Sequence, residues 1–330
     1  MTVWFRLRIE ESSMLPRAAS SIILLIGGCS GGEEAGALRS IEEVAFQRSE
    51  AGLEGHTRIV GQLQEQRRSP AVFREKDDVL VIGGCQAKGC HSSSVERIRW
   101  TDGDWNSEST SQSNSTNGKS CTAFSNLDES TGIIIGGFNG SDCLKTVDIV
   151  SLNEDKVCST SLADLPFRLK NSVAVSLEND TVLLFGGWDE SRTMRTVFRL
   201  RINKEHNNHD VNMEAILPYE VEGHGCAAHE GHVYIVGGYD GVSVVDTIIR
   251  YSVADKTSEI LPVRLRTARE NLVCEVVFGR YIIVMAGWDG RRSLDSVEVF
   301  EIVDEHPYLV PVNVDIKLCQ ARNRPASVVV

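Results

Sequence analysis

The chain has 330 residues, 42% of them hydrophobic and 24% charged, which is enough apolar material for a packed core and excludes disorder by composition. Its 46 acidic and 34 basic residues give a formal net charge of −12, the wrong sign for a protein that draws its affinity from phosphates, so no nucleic-acid partner is expected. No window approaches the roughly 20 apolar residues of a membrane helix, so no membrane partner is expected and the chain is assigned to the cytoplasm.

In chain order, the first segment of interest is TVWFRLRIE (Thr2–Glu10), which resembles TVFRLRIN (Thr196–Asn203). It reads as an extra strand or as the remnant of a further repeat within residues 1–20. Next comes SSIILLIGGCSGG (Ser20–Gly32). The apolar run is short for a secretion signal, and Glu10 and Glu11 precede it where a signal carries basic residues. No Gly-x-x-x-x-Gly-Lys follows, so it is not a phosphate cradle. What remains is a buried strand that ends in a Gly-Gly turn.

That stretch recurs. IILLIGGC (Ile22–Cys29) is followed by VLVIGGC (Val79–Cys85), GIIIGGF (Gly132–Phe138), VLLFGGW (Val182–Trp188), VYIVGGY (Val233–Tyr239) and IIVMAGW (Ile282–Trp288). The first small residue of each doublet falls at 27, 83, 136, 186, 237 and 286, a period of about 50 residues. About ten residues after each doublet lies an alternating strand, such as LRSIEEVAF (Leu38–Phe46) or SLDSVEVFEI (Ser293–Ile302). A third short strand follows, as in KVCSTSL (Lys156–Leu162). A fourth, often behind a basic residue, opens the next unit, as in RRSPAVF (Arg67–Phe73) and ARENLVCEVV (Ala268–Val277). Four short antiparallel strands per unit is the blade of a β-propeller. The doublet ends a strand where the backbone turns sharply beside the central channel, which demands positive φ and close approach.

The expected fold is therefore all-β: one domain over residues 1–330, a six-bladed β-propeller of four-stranded antiparallel blades. The region before the first doublet is cramped for an inner strand, whereas RPASVVV (Arg324–Val330) is an inner strand with no successor. The C-terminal strand should complete the first blade and close the ring. SESTSQSNSTNGKS (Ser107–Ser120) and NKEHNNHD (Asn203–Asp210) read as polar surface loops.

The unit resembles the kelch repeat: a hydrophobic run, Gly-Gly, an aromatic and then a VEVF-like strand. The aromatics that the family carries in the third and fourth strands survive only in part, at Tyr251 and Trp105. The resemblance implies a protein-interaction module, such as a ubiquitin-ligase substrate adaptor or an actin-associated protein, that binds a protein loop or peptide at the mouth of the propeller. It also admits a propeller enzyme of the sugar-isomerase or metal-dependent type.

No chemical site emerges from the sequence. Cys85-x4-Cys90-His91 lacks a second half, and the histidines show no ligand spacing. Nine scattered cysteines do not form a disulfide framework. The expectation is a non-enzymatic protein with no catalytic residues, no metal and no cofactor. The residues after the doublets stand at the channel rim, and four of them, Phe138, Trp188, Tyr239 and Trp288, are aromatic anchors for a partner or else packing between blades. Arg68, Lys119, Lys170, Arg269 and Arg324, with Arg67 and Arg322 beside them, open the inner strands. They form either a basic ring that selects an acidic peptide or salt bridges to loop acids such as Asp189, Asp240 and Asp289. The oligomeric state is open.

Overall fold

The computed structural model describes residues 19–32, 36–50, 52–112, 118–153, 156–178 and 180–330. All regular secondary structure among them is strand, arranged as six antiparallel four-stranded blades in a ring. The segment Thr2–Glu10 lies outside the described residues. Among those described, no helix is long and apolar enough to cross a membrane. All nine cysteines are free.

Blade 1 closes the ring as the sequence predicts. Its inner strand is the C-terminal Ala326–Val329, which pairs with Ala19–Ile26 (Ile26 opposite Ala326, Ile23 opposite Val329). Ser40–Ser49 and Gly52–Gln62 follow outward. The inner strands of blades 2 to 6 are Ala71–Glu75, Ala123–Asn126, Val173–Leu177, Gly225–His229 and Val273–Val277. Blade 6 gains a further strand, Lys317–Arg322, paired to the start of its third strand, Leu294–Ile302.

Two stretches that read as loops are strand in part, although residues 204–207 do form an exposed turn. Residues 107–112 belong to the outer strand of blade 2, Asp104–Gln112, which pairs in parallel with the outer strand of blade 3, Lys156–Ser161. In the other, Asn208 and His209 begin the outer strand of blade 4, Asn208–Ile216. His209 is buried there, and its Nε2 donates to the Ala163 carbonyl at 2.9 Å. Polar composition misleads at an outer strand because only one face of it is covered.

The core is six apolar clusters, one between each pair of neighbouring blades. This explains the unbroken apolar runs before the doublets. In blade 1, Ile23 and Leu25 pack towards blade 6 with Ile283 and Met285, while Leu24 and Ile26 pack towards blade 2 with Val79 and Val81. A strand buried on both faces has no polar alternate positions. Each such side chain contributes about 1.5–3 kcal/mol.

Candidate functional site

Every Gly-Gly turn opens onto the same face of the ring. The first residue of each doublet has a left-handed backbone, with φ between 51° at Gly186 and 67° at Gly83, and φ 60° at Ala286. A Cβ on Gly27 would stand 2.2 Å from the Arg67 carbonyl of the next blade. The second residue of each doublet donates its N–H to that neighbouring segment: Gly28 to Arg67, Gly84 to Lys119, Gly137 to Leu169, Gly187 to Val221, Gly238 to Arg269 and Gly287 to Arg322. Close approach between blades, as much as the turn itself, requires the glycines.

These bonds fix the register among the blades, and they correct the basic ring. Arg67, Lys119, Arg269 and Arg322 are equivalent positions and are buried. Each pairs with an acid on the third strand of the same blade: Arg67 with Glu96 at 2.5 Å, Arg269 with Glu298 at 2.7 Å, Arg322 with Glu42 at 2.7 Å, and Lys119 with Asp148. The arginines also donate to the carbonyl of the first doublet residue, Gly83, Ala286 or Gly27. Burial draws the Arg269 and Arg322 guanidiniums below their ordinary pKa, against the pull of Glu298 and Glu42. In the two remaining blades Leu169 and Val221 take the place of the cation, each within an apolar cluster. Arg269 and Lys119 therefore brace the blades and do not face a partner.

Arg68, Lys170 and Arg324 occupy two other registers. Arg68 and Lys170 bridge by backbone to the rim residues Cys85 and Trp188. Their equivalents are Ser120 opposite Phe138, Glu222 opposite Tyr239, Glu270 opposite Trp288 and Asn323 opposite Cys29. One residue further on, Ser69, Cys121, Asn171, Gly223, Asn271 and Arg324 all have φ between 49° and 59°. The N–H of each donates to the carbonyl of its counterpart in the adjacent blade, from Ser69 to Arg324, Arg324 to Asn271, Asn271 to Gly223, Gly223 to Asn171, Asn171 to Cys121 and Cys121 to Ser69. The six bonds, 2.6–3.3 Å long, form a closed collar at the mouth of the channel.

The face around this collar carries both signs of charge. Lys170 Nζ lies 4.9 Å from the Phe138 ring centre and 4.4 Å from that of Trp188, a cation–π pairing. Arg68 is buried, with its guanidinium 3.8 Å from Cys85 Sγ. The positions equivalent to Lys170 in the next two blades are acids, Glu222 and Glu270. Glu222 accepts from Asn171 Nδ2 at 2.7 Å and Thr193 Oγ1 at 3.0 Å. Glu270 is held above the usual carboxylate range by burial, with Arg324 opposing and Glu222 reinforcing the shift. His91 packs edge-on to Phe138 at 5.5 Å, and burial followed by the Arg68 charge lowers its pKa.

Asp189, Asp240 and Asp289 do not pair with the cations that open the inner strands. Each caps its own loop, as Asp189 Oδ1 does by accepting from the backbone of Ser191 at 2.9 Å and Arg192 at 3.0 Å. A second bridge, such as Trp188 to Thr193 or Trp288 to Ser293, pins the other side of these loops. The rim aromatics Phe138, Trp188, Tyr239 and Trp288 are part-exposed on these braced loops, and Val242 beside them is 86% exposed. Among the described residues, no group of three or more His, Cys, Asp or Glu side chains could hold a metal ion.

The family model described as the Kelch motif matches residues 222–262, which run from the rim acid Glu222 through blade 5. The fifth blade is a kelch motif. A solved structure titled "Structure of YjhT" is similar to the kelch-bearing ring at a TM-score of 0.67, covering 87% of this chain and 98% of that one at 12% identity. At that identity the likeness concerns the fold alone. No curated protein matches at significance. A kelch-bearing propeller is a scaffold for protein docking or for an enzyme site.

Proposed function

We propose that this kelch-bearing propeller is a non-enzymatic docking module that grips a protein loop on the face of the Gly-Gly turns. The observation that carries this reading is the pinned rim: four part-exposed aromatics on loops braced at both sides, around a hydrogen-bonded collar. A rigid platform bearing Trp and Tyr is suited to anchoring a partner, because ordering it on binding costs little entropy.

The layout of charge refines the partner. Lys170 favours acidic residues over blade 4, and Glu222 and Glu270 favour basic residues over blades 5 and 6. The partner loop carries both signs, in place of the uniformly acidic peptide that a basic ring implies. Substrate selection for a ubiquitin ligase and attachment to an actin filament are both docking roles of this kind.

Quantitative interaction mass spectrometry on the wild type and on Trp188→Ala/Trp288→Ala tests the reading. A partner whose recovery falls about tenfold or more with the double variant, as for interface hot spots, supports it. Trp100, 48% exposed at the turn between the third and outer strands on the opposite face, supplies the control Trp100→Ala. Equal recovery by all three proteins would overturn the assignment of the face.

A further inference from the structure

Behind the collar, the six inner strands enclose a channel of about 480 Å³, a volume in the range of small-molecule sites. One side of its character is apolar, with Val72, Val173, Val273 and Val328 on the wall. The other side is polar and incompletely satisfied. Thr122 Oγ1, Ser176 Oγ and both ring nitrogens of His224 are buried without a hydrogen-bond partner, and all three residues line the channel. His224 is only 3% exposed. Buried polar atoms left unpaired cost about 1–3 kcal/mol each, so a polar cavity of this kind calls for an occupant.

Glu275 lines the same wall. Its carboxylate accepts from Ser327 Oγ at 2.6 Å, and no ion pair to it occurs among the described residues. The neighbouring charges are engaged elsewhere. Arg324, at the collar, acts on Glu270. Arg74, at the far mouth, is exposed and donates to the Val329 carbonyl. His224 is held neutral by burial, which lowers its pKa to about 3, and burial raises the thiols of Cys226 and Cys274. In register, Thr122 and His224 directly follow the collar, whereas Ser125 and Glu275 lie four residues beyond it, about 10 Å further along the strands by the usual rise.

We propose that the channel binds an alkylammonium group, its charged head on the Glu275 carboxylate and neighbouring hydroxyls and its hydrocarbon body along the valines. An ammonium head has donors only, and the polar wall offers acceptors: a carboxylate, hydroxyl oxygens and a neutral imidazole. An anionic ligand would meet an unpaired carboxylate of its own sign. A divalent metal ion would need a converging shell of oxygens, and no such group of acids and histidines occurs among the described residues. The channel opens at the collar, but none of the rim aromatics lines it, so the proposal does not rest on the docking reading.

The test is calorimetric titration of the full chain with n-butylammonium chloride, with n-butanol and potassium chloride as controls. The expected result is saturable binding that is about tenfold weaker in Glu275→Gln, the loss typical of a charge-assisted bond. Wild-type affinity should also fall as the pH drops below 7, because the carboxyl is held up at about 7 by burial and must lose its proton to pair. That second measurement needs no variant and stands even if Glu275→Gln fails to fold. Absence of saturable binding, equal binding of n-butanol or of potassium, or an affinity that ignores both the substitution and the pH would overturn the proposal.

Discussion

Arg269→Leu is the sharpest test of the buried ionic braces. The guanidinium is fully buried and donates to the Ala286 carbonyl at 3.0 Å, Ser296 Oγ at 2.9 Å and Glu298 Oε1 at 2.7 Å. Leucine fills much of the volume, as Leu169 does at the equivalent position, but it strands Glu298 in a site from which water is excluded. Glu298 keeps two backbone donors, Arg266 N–H at 2.7 Å and Thr267 N–H at 3.3 Å, which offset part of the loss. Breaking one side of a buried pair costs about 3–5 kcal/mol, and the surviving bonds place the expectation at the lower end. Neutralising the stranded acid in Arg269→Leu/Glu298→Gln should recover roughly 1–2 kcal/mol, because the charge and not the missing contact dominates the penalty. Urea unfolding of the wild type, both single variants and the double variant gives the cycle directly. A cost below about 1 kcal/mol for Arg269→Leu, or a double variant as unstable as the sum of the singles, would refute the reasoning.

The collar makes a prediction of its own. Asn271→Val puts a β-branched residue at φ 53° and should cost about 1–2 kcal/mol, while Asn271→Gly should stay within about 0.5 kcal/mol of the wild type in the same unfolding assay. Glu275 predicts a dependence on pH. Its folded-state pKa is raised to about 7 from 4.5, so the stability it contributes is complete below about pH 4.5 and is lost as the pH rises through about 7. Relative to Glu275→Gln, the wild type should lose about 2.5 kcal/mol between pH 5 and pH 8. The His224 term has the opposite sign, being lost as the pH falls from 6.5 towards about 3, and it cancels in the comparison because both proteins retain it. A constant difference across that range would show that the Glu275 carboxyl is not held in its protonated form.

The six-bladed ring was legible because its causes are local and repeat. An apolar run buried on both faces, a left-handed doublet and an alternating third strand recur at one period, and Ala326–Val329 closes the circle by pairing with Ala19–Ile26. The candidate site was less legible because three registers, one residue apart, all carry cations. Arg68, Lys119, Lys170, Arg269 and Arg324 look equivalent as basic residues before an inner strand, yet two of them brace blades, two bridge to the rim and one belongs to the collar. A signal that separates them was present. Arg67, Lys119 and Arg269 each precede their acid by 29 residues, a spacing that Arg68, Lys170 and Arg324 do not share. Glu222 and Glu270 were missed because a search for one sign of charge passes over the other. The collar could not be read at all, since its bonds are made by backbone and its positions are occupied by Ser, Cys, Asn, Gly and Arg alike.

Photo-crosslinking from a benzoylphenylalanine placed at Val242 tests the docking face most directly. This side chain is 86% exposed in the rim loop of blade 5 and buries nothing of the fold. The account predicts one crosslinked partner from position 242, lost in the Trp288→Ala background and absent when the probe sits at Trp100 on the opposite face. A partner captured equally from position 100, or captured from 242 regardless of Trp288, would contradict it.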